Sequence, residues 1–336
     1  MSEDKKITMA HGGGGELTNK LIKDIIVSRL SNNYLKSLTD SAVLGKIDGR
    51  ICFTTDSYVV RPLEFPGGDI GQLAVCGTVN DLAVMGAKPI ALSLALIIEE
   101  GFSIDRLARI IDSIAAAAKL ADVKIATGDT KVVENTKGEG LFINTAGVGA
   151  IDESINIAPS AISDTDVIIV TGNIADHGLA VMCSREGLSL QTQLKSDVAP
   201  LNGLIKDMLD TGAKIRFMRD ATRAGVAGVL ADINEYTSLG IVIEESRIPI
   251  TVAARHAAEL LGLDPMIVAN EGKCIVVVNK NDAQKVVDAC RRHPLGANAA
   301  IIGTVTSAIN NIELHTKIGG RRLIYRPYGE QLPRIC

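Results

Sequence analysis

Short runs of apolar, mostly β-branched residues alternate with segments of helical periodicity, and this alternation limits the possible folds more than any other feature of the sequence. The runs at 51–55, 90–98, 167–172 and 274–278 are the clearest examples. Strands that alternate with helices along the chain are typical of α/β proteins. Further strands are predicted at 123–127, 141–150, 214–218, 240–244 and 300–305, and helices at 66–86, 103–120, 224–236 and 282–292.

The chain divides into two halves. Its 336 residues suffice for two domains of ordinary size. Between residues 152 and 166 the composition shifts to Asp, Ser, Pro and Ala, which is typical of a linker. We therefore predict an N-terminal domain at 1–152, a C-terminal α/β domain at 166–318 and an extended tail at 319–336.

Composition and charge exclude several classes of protein. The net charge is −4 and aromatic residues make up 3% of the chain, so there is neither a basic track nor a supply of stacking rings for nucleic acid. No apolar stretch reaches the length of a membrane span, and the charged N-terminus leads into no signal core. Six cysteines without paired spacing indicate free thiols in a reducing compartment, so we expect a cytoplasmic protein.

A run of glycines near the N-terminus is a candidate phosphate-binding loop. His11 precedes Gly12, Gly13, Gly14 and Gly15, and a segment of helical periodicity follows. Backbone N–H groups in such a loop approach a phosphate closely, although a loose leader would have the same sequence. The chain contains no G-x-x-x-x-G-K-[ST] motif, so a conventional P-loop is excluded.

Three aspartates stand at or inside apolar elements of the first half. Asp56 and Asp129 follow predicted strands, and Asp81 lies within a predicted helix. Carboxylates at strand ends of α/β folds face the ligand crevice, and Mg²⁺ bound to a nucleotide takes one or two of them. Lys131 follows closely and is a candidate for neutralising phosphate or removing a proton; the alternative is a surface lysine.

The second half contributes further polar residues at predicted strand ends. Arg223 lies at a strand-to-helix junction that suits an anion, and Glu271 precedes the apolar strand at 274–278. His177 has no partner residues with metal-ligand spacing, so we interpret it as structural or substrate-orienting rather than as a zinc ligand.

The last residue of the chain is a cysteine. Prolines and a glycine precede Cys336, which predicts an extended arm rather than a helix or a central strand. The arm ends in the sequence Pro333-Arg334-Ile335-Cys336.

Taken in order, these blocks resemble the HypE family of hydrogenase maturation factors, within the aminoimidazole-ribonucleotide synthetase superfamily. The resemblance covers nearly the whole chain, and the terminal Pro-Arg-Ile-Cys is its most specific part. It implies a two-domain fold, α/β or α+β by stricter usage, with a dimerising first domain. It also implies an ATP-dependent carbamoyl dehydratase that converts an S-carboxamide on Cys336 into a thiocyanate, which supplies cyanide for a hydrogenase iron centre.

The resemblance assigns roles and partners. It implies that Asp56, Asp81 and Asp129 hold Mg²⁺ and ATP, and that Cys336, Lys131 and Glu271 are the catalytic residues. The implied partners are a HypF-type carbamoyltransferase that loads Cys336, a HypC and HypD complex that accepts cyanide, and a second copy of the chain. Ala175 and Ala224 stand where the family usually has glycine. The remaining residues implied to bind the nucleotide are His11, Gly12, Gly13, Gly14, Gly15, Thr127, Gly128, Thr130 and Arg223.

Two other functions fit parts of the sequence. An ATP-dependent phosphotransferase of the same superfamily would act on a free small substrate and use the tail only as a lid. A metallochaperone would use Cys336 as a metal ligand, but only His315 lies near the tail in sequence. The sequence leaves open whether Lys131 or Glu271 acts as the base.

Overall fold

The computed structural model describes residues 5–36, 38–135, 138–187, 194–328 and 335. In the described part of the first half, four strands form one sheet in the order β1-β6-β4-β5. Only β4 and β5 are parallel within it. The strands of this half are β1 Arg50–Tyr58, β2 Glu64–Phe65, β3 Gly68–Asp69, β4 Lys88–Glu99, β5 Lys124–Val133 and β6 Leu141–Ile151. Its helices are a 3₁₀ turn Met9–Gly12, α1 Glu16–Leu21, a π-helical segment Ile22–Val27, α2 Ser28–Leu30, α3 Ile70–Val84 and α4 Ile104–Leu120.

Helix α3 packs between the four-stranded sheet, α4 and the second half of the chain. Its N-terminus is capped by Asp69, whose carboxylate accepts the Gln72 N–H at 2.9 Å. Small residues let its neighbours approach closely: a Cβ on Gly77 would lie 2.3 Å from the Tyr58 hydroxyl, and one on Gly71 would lie 2.6 Å from the Ile110 carbonyl. The helix is therefore buried on nearly every side.

The second half forms a seven-stranded sheet among the described residues, in the order β13-β12-β9-β11-β7-β10-β8. Its pairs are antiparallel except for β9 with β12. The strands are β7 Val167–Val170, β8 Ile215–Asp220, β9 Gly240–Glu244, β10 Cys274–Val278, β11 Ala300–Thr306, β12 Ile312–His315 and β13 Arg321–Leu323. The helices are α5 Asp176–Arg185, α6 Asn202–Leu209, α7 Gly225–Thr237, α8 Val252–Leu261 and α9 Ala283–Arg292.

Both faces of this second sheet are covered, which explains why its central strands are apolar without alternation. In β10, Ile275 and Val277 belong to one buried cluster, whereas Val276 and Val278 belong to another. A strand with two buried faces needs apolar residues at every position.

Most predicted elements are present, with three corrections. Asp56 and Asp129 lie inside β1 and β5 rather than after them, because both strands continue through polar residues at the sheet edges. The predicted helix at 66–86 begins only at Ile70, because Gly68–Asp69 form the short strand β3. Within the predicted tail at 319–336, residues Arg321–Leu323 form the edge strand β13. The helices α5, α6 and α8 and the short strands β2, β3, β12 and β13 were not predicted from the sequence.

Ala175 and Ala224 both adopt left-handed backbone conformations, with φ of 75° and 58°. Each is the residue before a helix, α5 and α7 respectively. Glycine adopts this conformation without the steric cost that a Cβ brings, which gives the physical reason for a preference for glycine at both positions.

Within the described ranges, none of the helices is both long and apolar enough to cross a membrane. Five cysteines in those ranges are free thiols, as predicted: Cys52, Cys76, Cys183, Cys274 and Cys290.

Candidate functional site

The two halves of the chain are joined by a buried asparagine on α3. The Asn80 amide donates to the carbonyls of Ala199 and Glu271, each at 3.1 Å, and its Oδ1 accepts the Leu201 N–H at 2.7 Å. Only 1% of Asn80 is exposed. Every polar atom of its side chain is thus used to hold the second half against α3.

The turn that carries Glu271 is held on both sides. Asn270 accepts the Ala175 N–H at 2.7 Å and donates to the Ala221 carbonyl at 3.1 Å. Gly272 is required by a close approach, since a Cβ there would lie 1.9 Å from the Asp197 carbonyl oxygen. In this turn, Asn270 and Gly272 therefore fix the backbone, and Glu271 faces a cleft.

This cleft lies at the junction of the two halves and has a volume of about 590 Å³. Its walls come from β1, α3 and β8, and Glu271 lies at its inner end. The polar residues that line it are Thr54, Thr55, Asp56, Ser57, Asp81, Arg219, Asp220, Thr222, Arg223 and Glu271.

Four carboxyl groups share the cleft: Asp56, Asp81, Asp220 and Glu271. Burial, together with the charges of Asp220 and Asp56, raises the pKa of Asp81 to about 6. Burial also raises the pKa of Asp220 and, with the neighbouring carboxylates, that of Glu271 well above its usual range. The ligand-free cleft thus holds more carboxyl groups than it stabilises in charged form.

Few groups offset this charge. Thr54 donates to Asp81 Oδ2 at 2.8 Å, Thr222 donates to Asp220 at 2.5 Å, and Arg223 lies 3.4 Å from Asp56 Oδ1. Asp220, Thr54 and Thr222 were not selected from the sequence as site residues. The feature that could have identified Asp220 is its position at the end of β8. There it pairs with Cys274, the first residue of the strand that follows the Glu271 turn.

Glu271 is the least satisfied of these groups. It is 3% exposed, and its Oε1 has no hydrogen-bond partner among the described residues. A buried carboxyl with a raised pKa and a free oxygen is suited to exchanging a proton with a bound ligand.

The glycine loop and β5 line a separate pocket of about 240 Å³. Gly12 packs so closely that a Cβ would lie 2.8 Å from Val132 Cβ. His11 turns back and accepts the Thr8 N–H at 3.0 Å, and Gly13 and Gly15 are exposed. The pocket also includes the predicted nucleotide-binding residues Gly14, Thr127, Gly128, Asp129 and Thr130, with Lys131.

Asp129 is not gathered with Asp56 and Asp81 within one chain. The strand order places β1 and β5 on opposite edges of the first sheet, three strand spacings or about 14 Å apart. The register also places Asp56 and Asp129 on opposite faces. Asp129 instead pairs with the exposed Lys131, at 3.2 Å.

No group of three or more His, Cys, Asp or Glu residues with metal-binding geometry occurs in the described ranges. The donor set still fits Mg²⁺ held with a nucleotide, because such an ion takes one or two carboxylates and fills its other positions with phosphate oxygens and water. Asp56 and Asp81 are the carboxylates in position for this.

Ile335, the last described residue, lies at the junction between the halves. Ile335 is 3% exposed, and its carbonyl oxygen lies 2.9 Å from His177 Nε2. The ring of His177 is itself fully buried and contacts Ser196 at 2.8 Å through Nδ1. Cys336 lies outside the described residues.

Family models match both halves of the chain. A model described as the N-terminal domain of AIR synthase related protein matches residues 38–151, and the model of the C-terminal domain matches residues 164–312. Carbamoyl dehydratase HypE of Rhizobium leguminosarum bv. viciae is 46% identical, covering 98% of this chain and 95% of the relative. The protein of that name from Escherichia coli K12 is 41% identical, covering 98% and 99%.

Solved structures agree with these matches. The crystal structure of E. coli HypE matches with a TM-score of 0.90 at 41% identity, covering 95% of this chain and 100% of that one. A HypE crystallised in complex with ATP matches with a TM-score of 0.94 at 38% identity, covering 98% and 99%. A chain of a HypE–HypF complex matches with a TM-score of 0.80 at 44% identity, covering 91% and 99%.

The fold is thus the two-domain α/β architecture of the AIR synthase-related proteins, as predicted. Within that class, the chain belongs to the HypE family of carbamoyl dehydratases, which act in hydrogenase maturation.

Because the pKa of Asp81 is raised, removing its charge should stabilise the ligand-free protein. The size of this gain should depend on pH. Because the pKa rises from 3.8 in the unfolded chain to about 6 in the folded one, folding favours the protonated form. The folded state of the ligand-free protein therefore loses stability as pH rises between these values. Asp81→Asn should raise the free energy of unfolding by about 3 kcal/mol at about pH 8, and by only about 0.5 kcal/mol at about pH 4.

Urea titrations of the two proteins in the presence of a chelator measure this difference. Asp112→Asn serves as the control, because Asp112 is an exposed carboxylate paired with Arg29 outside the cleft. An equal effect of Asp81→Asn at both pH values would show that the loss of stability does not come from the charge of Asp81.

Proposed function

We infer that this chain uses ATP to dehydrate a carboxamide carried on the sulfur of Cys336, and that the resulting thiocyanate supplies cyanide for a hydrogenase iron centre. Family membership supports this proposal, and so does the existence of a similar HypE in complex with ATP. The observation that carries it is the burial of Ile335, the residue before Cys336, at the junction that also holds Glu271.

The connection between Ile335 and Glu271 is short. Ile335 contacts His177 at the start of α5, and the next residue, Gly178, donates its N–H to the Ala269 carbonyl at 3.1 Å. Asn270 then links the same turn to Ala175. Ile335 thus lies close to the segment at 269–270. The residue after this segment is Glu271, which we propose exchanges a proton with the substrate in the cleft.

The chemistry requires two proton removals and one phosphoryl transfer. The amide loses a proton from nitrogen as its oxygen attacks the terminal phosphorus of ATP, which releases ADP. A second N–H proton then leaves as the carbon–oxygen bond breaks, so that phosphate departs and an S–C≡N group remains. ATP, when bound, would supply the phosphoryl group that makes the amide oxygen a good leaving group, and Mg²⁺ would neutralise the charge of its phosphates.

The residues of the chain divide this work. Asp56 and Asp81 hold the metal, and Arg223 offsets phosphate charge at the cleft mouth. The glycine loop at 12–15 and the backbone at 127–130 cover the phosphates. Glu271, whose pKa is raised by burial and by the neighbouring carboxylates, is the base that accepts the amide proton. Lys131 neutralises the oxygens of the transferred phosphoryl group.

The site is completed by a second copy of the chain. The outer face of the first sheet carries exposed apolar side chains, among them Ile51 and Phe53, each 67% exposed. By register, Thr127, Asp129 and Lys131 lie on this same face. A two-fold dimer through this face buries those side chains and brings Asp129 and Lys131 of one copy to the Asp56–Asp81 cleft of the other.

The partners and the compartment follow from the same function. A HypF-type carbamoyltransferase loads Cys336, in keeping with the solved HypE–HypF complex. A HypC and HypD complex accepts the cyanide. The cytoplasm, where thiols remain reduced, is the compartment in which Cys336 is available.

Removing the terminal residue distinguishes this function from that of a phosphotransferase for small molecules. If the thiol is the substrate, deletion of Cys336 abolishes ADP formation that depends on the carbamoyl-loading partner, while the binding of ATP measured by calorimetry persists. Cys336→Ser is the matched control, since it keeps the length of the chain. Undiminished ATP turnover in both variants would favour the phosphotransferase.

Mixed dimers test whether the site is shared. Asp56→Asn and Lys131→Ala should each inactivate the homodimer. In a dimer that contains one chain of each variant, one site carries both substitutions and the other carries neither, so about half of wild-type turnover returns. Co-expression with two different affinity tags isolates this dimer. A mixed dimer as inactive as its parents would show that Asp56 and Lys131 act within one chain.

A further inference from the structure

His177 is enclosed in a way that leaves its ring one orientation. Its side chain is fully buried, and Phe65 packs edge-on against it, with ring centroids 5.4 Å apart and planes at 86°. Its two nitrogens have different partners: Nδ1 lies 2.8 Å from Ser196 Oγ, and Nε2 lies 2.9 Å from the Ile335 carbonyl oxygen.

These partners determine where the protons lie. A carbonyl oxygen accepts hydrogen bonds and cannot donate one, so the proton of the His177 ring is on Nε2. Burial lowers the pKa of His177, which favours the neutral ring and leaves Nδ1 as an acceptor. The Ser196 hydroxyl therefore donates to Nδ1.

Ser196 is itself held so that its hydroxyl proton is free for this role. Its Oγ accepts the Val198 N–H at 3.1 Å, and its own N–H donates to the Pro66 carbonyl at 2.7 Å. A continuous chain of hydrogen bonds thus runs from the Val198 N–H through Ser196 and His177 to the backbone of Ile335. Within it, every donor has an acceptor.

The side chain of Ile335 adds an apolar contact to this polar one. It is 3% exposed and belongs to the same buried cluster as Val181, Val198 and Ala269. Ten residues earlier along the arm, Tyr325 is exposed, and Arg326 pairs with Asp232 and with Glu235, the latter at 3.1 Å. The arm is therefore fixed at Arg326 and again at Ile335.

We propose that His177 and Ser196 form a latch that docks the C-terminal arm through the Ile335 carbonyl, which makes both of them positioning residues for the thiol of Cys336. The proposal rests on the proposed function, because it explains how a tethered substrate returns to the cleft after loading. Departure of the arm exchanges this hydrogen bond and the apolar contact of Ile335 for contacts with water, and the loss of both favours the docked arm. The latch recognises the arm through the hydrogen bond to the Ile335 carbonyl and through the apolar cluster that holds the Ile335 side chain.

The reactivity of Cys336 in the ligand-free chain tests the latch without any catalysis. Alkylation by iodoacetamide, followed at Cys336 by peptide mass spectrometry, reports how often the arm is undocked. His177→Leu should increase the rate about tenfold, the effect of losing one buried hydrogen bond. His177→Gln, whose amide donates to a carbonyl, should restore most of the protection, and Ser196→Ala should give an intermediate rate.

Two controls separate undocking from general loosening of the fold. Leu179→Ala removes a buried side chain of α5 that belongs to the other core cluster, so it should leave the rate at Cys336 unchanged. Cys52, which is half-buried in the cleft wall, is an internal reference in every variant. If Leu179→Ala exposes Cys336 as much as His177→Leu does, the latch is disproved.

A double-substitution cycle gives a further criterion. Ile335→Ala removes the apolar contact of the same docked arm, so the two substitutions together should raise the rate at Cys336 no further than that of a free peptide ending in Pro-Arg-Ile-Cys, because a fully undocked arm has no latch to lose. If Ile335→Ala alone already reacts at the rate of the free peptide and His177→Leu still raises it, the proposal is overturned. Since none of these rates depends on ATP or on a carbamoyl group, the latch and the proposed reaction fail or succeed separately.

Discussion

The candidate site depends on one buried amide. Asn80 lies on a helix that is enclosed on nearly every side, and its side chain makes all of its hydrogen bonds to backbone groups of the second half. Apolar contact is not directional, and the other side-chain hydrogen bond from this helix to the second half, from Gln72 to the Val198 carbonyl at 3.2 Å, lies near the helix N-terminus. The three bonds fix the position of the Glu271 turn relative to Asp81, the next residue on the helix. Asn80 therefore aligns the two walls of the cleft, and the neighbouring residue Asp81 is one of the acids that line it.

The acidity of the cleft is a property of the ligand-free state. Asp56, Asp81, Asp220 and Glu271 oppose one another, and among the described side chains Arg219, Arg223 and two threonines offset them in part. A fold selected for stability alone would not bring these groups together. In the proposed reaction, a cation bound with phosphates would relieve this repulsion, and Glu271 would act as the base. The instability of the empty cleft and the chemistry proposed for the filled one thus have the same cause.

Much of the fold follows from local patterns in the sequence, because strands buried on both faces are apolar throughout and α3 is marked by its capping aspartate and small residues. The bounds of β1 and β5 do not follow, since both strands continue through polar residues once neighbouring strands satisfy the backbone. Asp129 could be selected from the sequence as a site residue. Its place on the sheet face and edge opposite Asp56 depends on strand order and register, which local patterns do not give. Helix α5 was missed because it begins beyond a left-handed Ala175, a conformation that local propensity does not predict. The contact between His177 and Ile335 spans 158 positions, and no local pattern indicates it.

The central claim is that the tail of this chain is the substrate of its own cleft. It is tested most directly by a single-turnover experiment on protein whose Cys336 has been carbamoylated and then separated from the loading partner. On addition of Mg²⁺ and ATP, the mass of the C-terminal peptide and the amount of ADP are followed together. The account predicts that the peptide loses the mass of one water molecule, with one ADP formed for each tail converted. ADP formation without any change in the mass of the peptide would contradict it.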